Sequence, residues 1–309
     1  MLTVPVGQDF NAANFERAFT AVGELGMNEV RGRVGAQLWG GGETIDGDHW
    51  EELHHTKLLG VAQRAQSLHD TPPLTGYRLQ GAVYAGLVKY HIAYQMLKEA
   101  VEDELYGISL QQVRSMGEIM EETHELTYHE PYNNGLTFVS GWQRTPMFAN
   151  NLRIIGDSAY QASNIIMNAG GPSYHAIALI DQYGENFVTQ ENRPSARRPV
   201  MLVTGSTTAR EWSMYYNTTA NIESARPNAP APTNTGVPNI VASNRMANPR
   251  DTWVFYEGWE DMFQSKQKYR GKQRSYDIAS PESVVHEIAS RYLFFFRDPR
   301  YVALIPGAG

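Results

Sequence analysis

The stretch EETHELTYHEPYNNG, residues 121–135, crowds acids, two histidines and a tyrosine into ten positions ahead of a proline. On a helix, Glu121 and His124 stand i to i+3, the Glu-x-x-His spacing with which di-iron carboxylate bundles hold their metals, and Glu51 with His54 repeats it. Two such pairs would suffice for a metal-dependent enzyme. That reading also demands four long antiparallel helices, whereas the chain beyond Asn134 offers proline-broken loops and strand-like runs. With 9 histidines and 33 acids in the chain, such spacings arise by chance. The expectation is therefore no catalytic residue, no metal and no cofactor, and the same holds for His49, His54 and His55. Glu118, Glu122 and Glu125 then form the acidic face of a helix, solvated or turned to a partner. Such like charges at i+3 and i+4 cost a few tenths of a kcal/mol per pair unless a basic group sits nearby. VTGSTTAR, residues 203–210, lacks the Gly-Lys-Ser/Thr end of a phosphate loop, and neither a Gly-x-Ser-x-Gly elbow nor a Gly-x-Gly-x-x-Gly turn occurs.

A second cluster is basic. In QSKQKYRGKQRS, Lys266, Lys268, Arg270, Lys272 and Arg274 alternate, which puts all five on one face of a regular strand. The stripe reads either as an edge strand protected by charge or as a contact with a neighbouring subunit's acids or with nucleic-acid phosphates.

Composition bounds these readings. The chain has 309 residues, 42% of them hydrophobic, enough for a sizeable core. A net charge of −7 opposes general binding to nucleic acid, so any such contact would be local. There is no cysteine, which excludes disulfides and thiolate chemistry. Neither a leader-like run at the start nor a stretch of roughly 18 apolar residues is present, so the sequence reads as soluble, unexported and without a membrane partner.

The elements that would position these residues alternate in type. Residues 11–24 predict an amphipathic helix capped by Asn11. LWGGGETIDGDHW reads as a loop. Two extended runs, 56–68 and 82–96, flank the turn-rich HDTPPLTGYRLQG and predict one long hairpin. A helix over about 109–130 carries a narrow apolar stripe, Leu110, Val113, Met116, Met120 and Thr123, beside Ile119 and Leu126, and ends at Pro131 and the Asn-Asn-Gly that follows. Further helices are expected at 173–182 and at 207–216, where Thr208 and Glu211 have capping-box spacing. Five prolines in 226–250 predict a long irregular connection. The last sixty residues read as strands, with 281–293 open to a helical reading.

In order, YHIAYQMLKEAVEDELYG, MEETHE and YNNG, then ALIDQYGENF, RRPVMLVTGSTTAREWSMYYNT, DTWVFYE and RDPRYVALIPGAG resemble the signature of tailed-bacteriophage major capsid proteins over residues 54–309. Glu99, Glu102, Asp103, Tyr106 and Gly107 match the acidic turn of that family, Met120, Thr123 and Glu125 its long spine helix, and Asn133, Asn134 and Gly135 the exit turn. SGWQRTPMF departs from the family's Asp-Gly-x-x-Leu-Phe segment in having Ser140 where the acid stands.

The resemblance implies an α+β phage major-capsid fold. Residues 1–53 would be an N-terminal arm and 54–96 an extended loop hairpin reaching over a neighbouring subunit, with Asp70, Pro72, Pro73, Tyr77 and Arg78 at its contacting tip. Residues 97–159 and 251–309 would make the peripheral domain around the spine helix, and 160–250 the axial domain, whose loop at about 217–236 would crowd the symmetry axes. The implied function is that of a head protein, not an enzyme. It would self-assemble in the host cytoplasm into pentamers and hexamers of an icosahedral virion shell around non-specifically held double-stranded DNA. A portal and a separate scaffolding protein are implied partners, the latter because no coiled-coil segment is seen ahead of the arm. Residues 58–88 contain no lysine, so no isopeptide weld from the loop is expected. An encapsulin-like nanocompartment shell shares the fold and is the alternative.

Overall fold

A computed structural model describes residues 12–30, 34–47, 49–55, 79–97, 106–140, 145–154, 157–190, 193–222, 237–278 and 283–307. Strand periodicity and helix periodicity divide them into two four-stranded sheets and two two-stranded ribbons with helices packed alongside, an α+β arrangement.

The first sheet has the order β1-β10-β11-β4, formed by Gly40–Thr44, Phe263–Ile278, Ser283–Phe296 and Val88–Leu97. β10, β11 and β4 are antiparallel neighbours, and β1 runs parallel to β10. Helices α1 (Ala12–Val30) and α2 (Tyr106–Asn133) pack on one face of this sheet. The expected stripe does the packing: Met116 and Met120 of α2 meet Met27 of α1 and Ile288 of β11, while Val113 joins Phe19, Met96 and Val284. Ile119 and Leu126, flanking that stripe, remain exposed.

The second sheet has the order β12-β9-β7-β8: Val302–Ile305, Thr252–Tyr256, Pro199–Thr204 and Asn239–Ala242. β7 and β8 are parallel and are joined through helix α4 (Ser206–Ile222). Alternation sorts its side chains. Met201, Val203, Trp253, Phe255, Val302 and Leu304 face a large aromatic core shared with Trp39, Tyr132, Phe263 and Phe296. Leu202, Val254, Tyr256, Ala303 and Ile305 face α4 and α3 (Tyr174–Glu185). With both faces covered, the strands are near-continuously apolar rather than alternating. α3 begins at Ser173, whose hydroxyl accepts from the Ala176 amide at 3.1 Å, an N-cap. A short helix α5 (Trp259–Met262) precedes β10, and β5 (Leu152–Ile154) pairs with β6 (Asp157–Ala162). The second sheet draws strands from both the 160–250 and the 251–309 segments.

Several expectations are corrected. The glycine-rich stretch at 40–44 is a strand, not a loop: a Cβ on Gly40 would sit 2.0 Å from the Glu260 carbonyl oxygen, so only glycine permits the approach. β2 (His49–His55) pairs antiparallel with β3 (Leu79–Gly86), whereas β4 leaves that ribbon at Leu87 and enters the first sheet. The expected hairpin arm at 82–96 is thus shared between two sheets, and the arm at 56–68 with Asp70, Pro72, Pro73, Tyr77 and Arg78 lies outside the described residues. α2 runs through Pro131 to Asn133. Pro131 stands in its last turn, where a single backbone bond is forgone. Thr208 is no cap: α4 starts at Ser206, and the Thr208 hydroxyl donates to the Pro249 carbonyl at 3.1 Å. Within the expected irregular connection, 239–242 is strand β8. Residues 283–296 are a strand, which settles the ambiguity at 281–293 against a helix. Asn11 and much of the loop at 217–236, from 223 onward, lie outside the described residues.

Candidate functional site

Helix α2 answers for most of the polar residues singled out in the sequence. Glu121 and His124 are buried against the first sheet, at 4% and 2% exposure. The Arg270 guanidinium donates to Glu121 Oε2 at 2.6 Å, and His124 Nδ1 lies 3.4 Å from Glu121 Oε1. His124 meets Tyr292 edge-on, ring centroids 5.3 Å apart. Burial alone would raise the Glu121 pKa, but His124 and Arg270 outweigh it and hold the carboxyl below its ordinary range. Glu121→Ala is expected to lower stability by about 2 kcal/mol, because it strands Arg270 beside a buried histidine; Arg270 is partly solvated, so the full buried-pair penalty is not reached. Urea unfolding checks it, and a shift under about 0.5 kcal/mol would refute it.

The other half of the proposed di-iron set is elsewhere. Glu51 and His54 lie on strand β2, not on a helix. Among the described residues no group of three or more His, Asp or Glu could hold a metal.

Glu118, Glu122 and Glu125 do not share one solvated face. Glu125 is buried and accepts from the Gly35 amide at 2.8 Å. Glu122 pairs with Arg245, in the segment after β8, and Glu118 lies 3.5 Å from Arg114 one turn earlier. The three share one side of the helix, and what differs is the cover: the Val34–Leu38 segment packs over Glu125 and leaves Glu118 and Glu122 open. His129, also buried, donates from Nδ1 to the Glu125 carbonyl at 2.7 Å and accepts from the Ser243 hydroxyl at Nε2, 2.8 Å away. Burial pushes its pKa down, which keeps the ring neutral.

The basic stripe is broken as well. The β10–β11 register slips between Gln267 and Tyr269 and again between Tyr269 and Lys272, two bulges that each reverse the in-out alternation. Gly271 occupies the second with φ +64°, and a Cβ there would lie 2.5 Å from Met27 Sδ. Arg270 consequently turns toward α2, and Lys266 is buried. Only Lys272 and Arg274 stand exposed on the face opposite the helices. Arg274 meets Glu287 at 2.7 Å, and the same carboxylate receives Lys89 at 3.0 Å and His91 at 3.2 Å. Glu287 is covered by those long side chains. Burial acts against ionisation, yet the hydrogen bonds from Lys89, Arg274 and His91 prevail and bring its pKa down to about 2.

On the helix side of the same strand, His286 lies between Ser275 Oγ at 2.9 Å and Gln273 Oε1 at 3.0 Å, with the Phe19 ring edge-on. Burial lowers its pKa from 6.5 to about 4. A base with a depressed folded pKa takes up its proton more readily when unfolded, so stability falls as pH drops from 6.5 toward 4 and this loss is complete below about 4. Glu287 adds a loss between 4.5 and about 2. The difference in unfolding free energy between wild type and His286→Gln, followed from pH 7 to pH 4, is expected to shrink or reverse; a constant difference would refute it.

Two polar features escaped sequence reasoning. Arg300 grips Asp298 through Nε at 3.0 Å and Nη2 at 2.6 Å and donates to the Val188 carbonyl at 2.5 Å, while Gln190 donates to Asp298 Oδ2 at 2.9 Å. The side chain of Asn164 accepts from the Ala149 amide at 2.9 Å and lies 2.7–3.0 Å from the carbonyls of Met147, Pro299 and Val302. Asp-Pro-Arg at 298–300 could have flagged the first; nothing in the sequence marks the second.

The described polar clusters thus join elements of the fold and assemble no reaction centre. No protein-family model matches the sequence, and no curated protein does. Solved structures do. A virus-like particle from Pyrococcus furiosus aligns with a TM-score of 0.52 at 10% identity over 94% of this chain and 99% of its own. The capsid of an empty GTA particle gives 0.51 at 11% identity over 90% and 92%. A structure from Microbacterium phage Oxtober96 gives 0.50 at 10% identity over 100% and 96%. At this identity the likeness shows the fold, and the chain has the fold of phage capsid shell subunits.

Proposed function

We propose that this chain is the major capsid protein of a tailed double-stranded DNA bacteriophage, building an icosahedral shell from pentamers and hexamers. The observation that carries the reading is the alignment with subunits of virus-like, GTA and phage particles over 90% or more of both chains. Three features support it. The β2–β3 ribbon is two-stranded, a unit marginal by itself in water. Ile119 and Leu126 leave α2 with apolar side chains exposed. The polar clusters described are structural, as a shell subunit requires. On this reading the 54–96 segment reaches over a neighbouring subunit, the 1–53 arm and the peripheral and axial domains divide as the resemblance implies, and a scaffolding protein, a portal and packaged DNA are its partners.

Electron microscopy of the chain expressed alone and with its genomic neighbours tests it. Closed particles or capsomer rings are expected, and a small monodisperse species in both preparations would sink the proposal. Because residues 58–88 contain no lysine, boiled particles are expected to run as one band at 34.7 kDa, without covalent ladders. Cross-linked multimers on that gel would contradict it.

A second reading, a shell that houses proteins instead of a genome, is favoured by the virus-like particle among the neighbours. The contents of purified particles separate the two: nucleic acid of genome length supports the first, a stoichiometric enzyme the second.

A further inference from the structure

Among the described residues, the first sheet carries helices α1 and α2 on one face. Alternation along β4 leaves Lys89, His91, Gln95 and Leu97 exposed, while Ile92, Tyr94 and Met96 turn inward toward α2. The ladder registers place Lys89 beside Arg291 and Ala93 beside Glu287, and set Arg274 opposite Glu287 across β10. Lys272, Arg274 and Tyr276 complete this face. Its described charges are four cations, Lys89, Arg291, Lys272 and Arg274, against the single carboxylate of Glu287, on a chain whose net charge is −7.

Two details decide what such a face fits. Glu287 already takes hydrogen bonds from Lys89 and Arg274, so their charge is partly spent; Arg270 is turned to α2, and Lys266, on the same face by register, is buried. A track for phosphates would keep its cations unpaired. Apolar groups also stand among the charges: Leu97 is 51% exposed and Tyr276 43%, the latter stacked under the Arg274 guanidinium at 5.5 Å. Rigid aromatic and aliphatic anchors beside pre-positioned arginine are the make-up of a protein contact.

We propose that this helix-free face is a contact surface for a second copy of this chain, which sets acidic side chains against Lys272 and Arg274 and covers Leu97 and Tyr276. The surface differs from the acidic one it meets, so the contact is heterologous and propagates from copy to copy. The inference rests on the shell reading and deepens it.

The test substitutes exposed positions only, Leu97→Asp with Tyr276→Asp, and separately Lys272→Glu, leaving Glu287 and its partners in place. Sedimentation and electron microscopy should show the particle fraction reduced tenfold or more in both variants, with thermal unfolding of the unassembled chain within about 2 °C of wild type, since exposed substitutions leave the fold nearly unchanged. Lys272→Arg should assemble normally. Particles at wild-type yield would overturn the proposal and leave the shell reading intact. Particles at full yield with less nucleic acid inside would overturn it in favour of a genome contact. A wild-type chain that stays monomeric at every concentration would remove both readings together.

Discussion

Asn164→Leu is expected to unfold roughly 10 °C below wild type, the consequence of losing about 3–4 kcal/mol from one side chain. Asn164 is fully buried, and its amide serves the Ala149 amide and three carbonyls, Met147, Pro299 and Val302, while its backbone carbonyl receives Leu304. Leucine nearly fills the volume but offers none of these bonds, so an amide and up to three carbonyls lose a partner away from water. Each buried unsatisfied group costs about 1–3 kcal/mol, part of which the surroundings recover by shifting. The affected elements are the start of β12 and the irregular segment at 147–149, both adjoining the large aromatic core. Differential scanning calorimetry checks the value, and a shift smaller than about 3 °C would show that the network is dispensable.

Gly117→Val is expected to free helix α1 from the rest of the fold. The two helices meet backbone to backbone: a Cβ on Gly117 would lie 2.3 Å from the Gly23 carbonyl oxygen, and one on Gly26 would lie 2.1 Å from that of Arg114. Neither obstacle is a flexible side-chain end. The helices must part by an ångström or more, and Phe19 and Met27 then leave the core they share with Val113, Met116 and Met120. Overpacking of this kind costs about 1–3 kcal/mol where side chains can yield and more where backbone cannot. Limited trypsin digestion should cut at Arg17 at least tenfold faster than in wild type, while Trp212 and Trp253, in the second sheet's core, keep their buried fluorescence. Unchanged cleavage would mean that α1 holds by other contacts. Gly26→Val should behave alike.

How far the sequence foretold this structure depends on which periodicity held. The apolar repeat Val113, Met116, Met120 was regular enough to name the buried side of α2, and its partner strands were rich enough in β-branched and aromatic residues to be recognised. The order of short motifs pointed to the fold that the solved structures show. Where the reading failed, a local irregularity had been invisible. Alternate Lys and Arg in β10 promised a single face, but two bulges, one built on Gly271 at positive φ, divided it. Gly40 read as loop, and the helix contact at Gly23, Gly26 and Gly117 gave no signal, because close backbone approach leaves no trace in composition. Glu125 read as part of an acidic face, solvated or turned to a partner, because helical position alone does not reveal a backbone amide waiting on a distant element. Asn164 gave no signal at all, since its partners lie up to 138 residues away.

Helix α2 is tied at both sides, by Glu121 to Arg270 in the first sheet and by Glu122 and Asn133 to Arg245 beside the second. Its 28 residues make a rod about 42 Å long. Force applied to either sheet is therefore carried along a stiff strut to the other, and the two halves should tilt together as one lever.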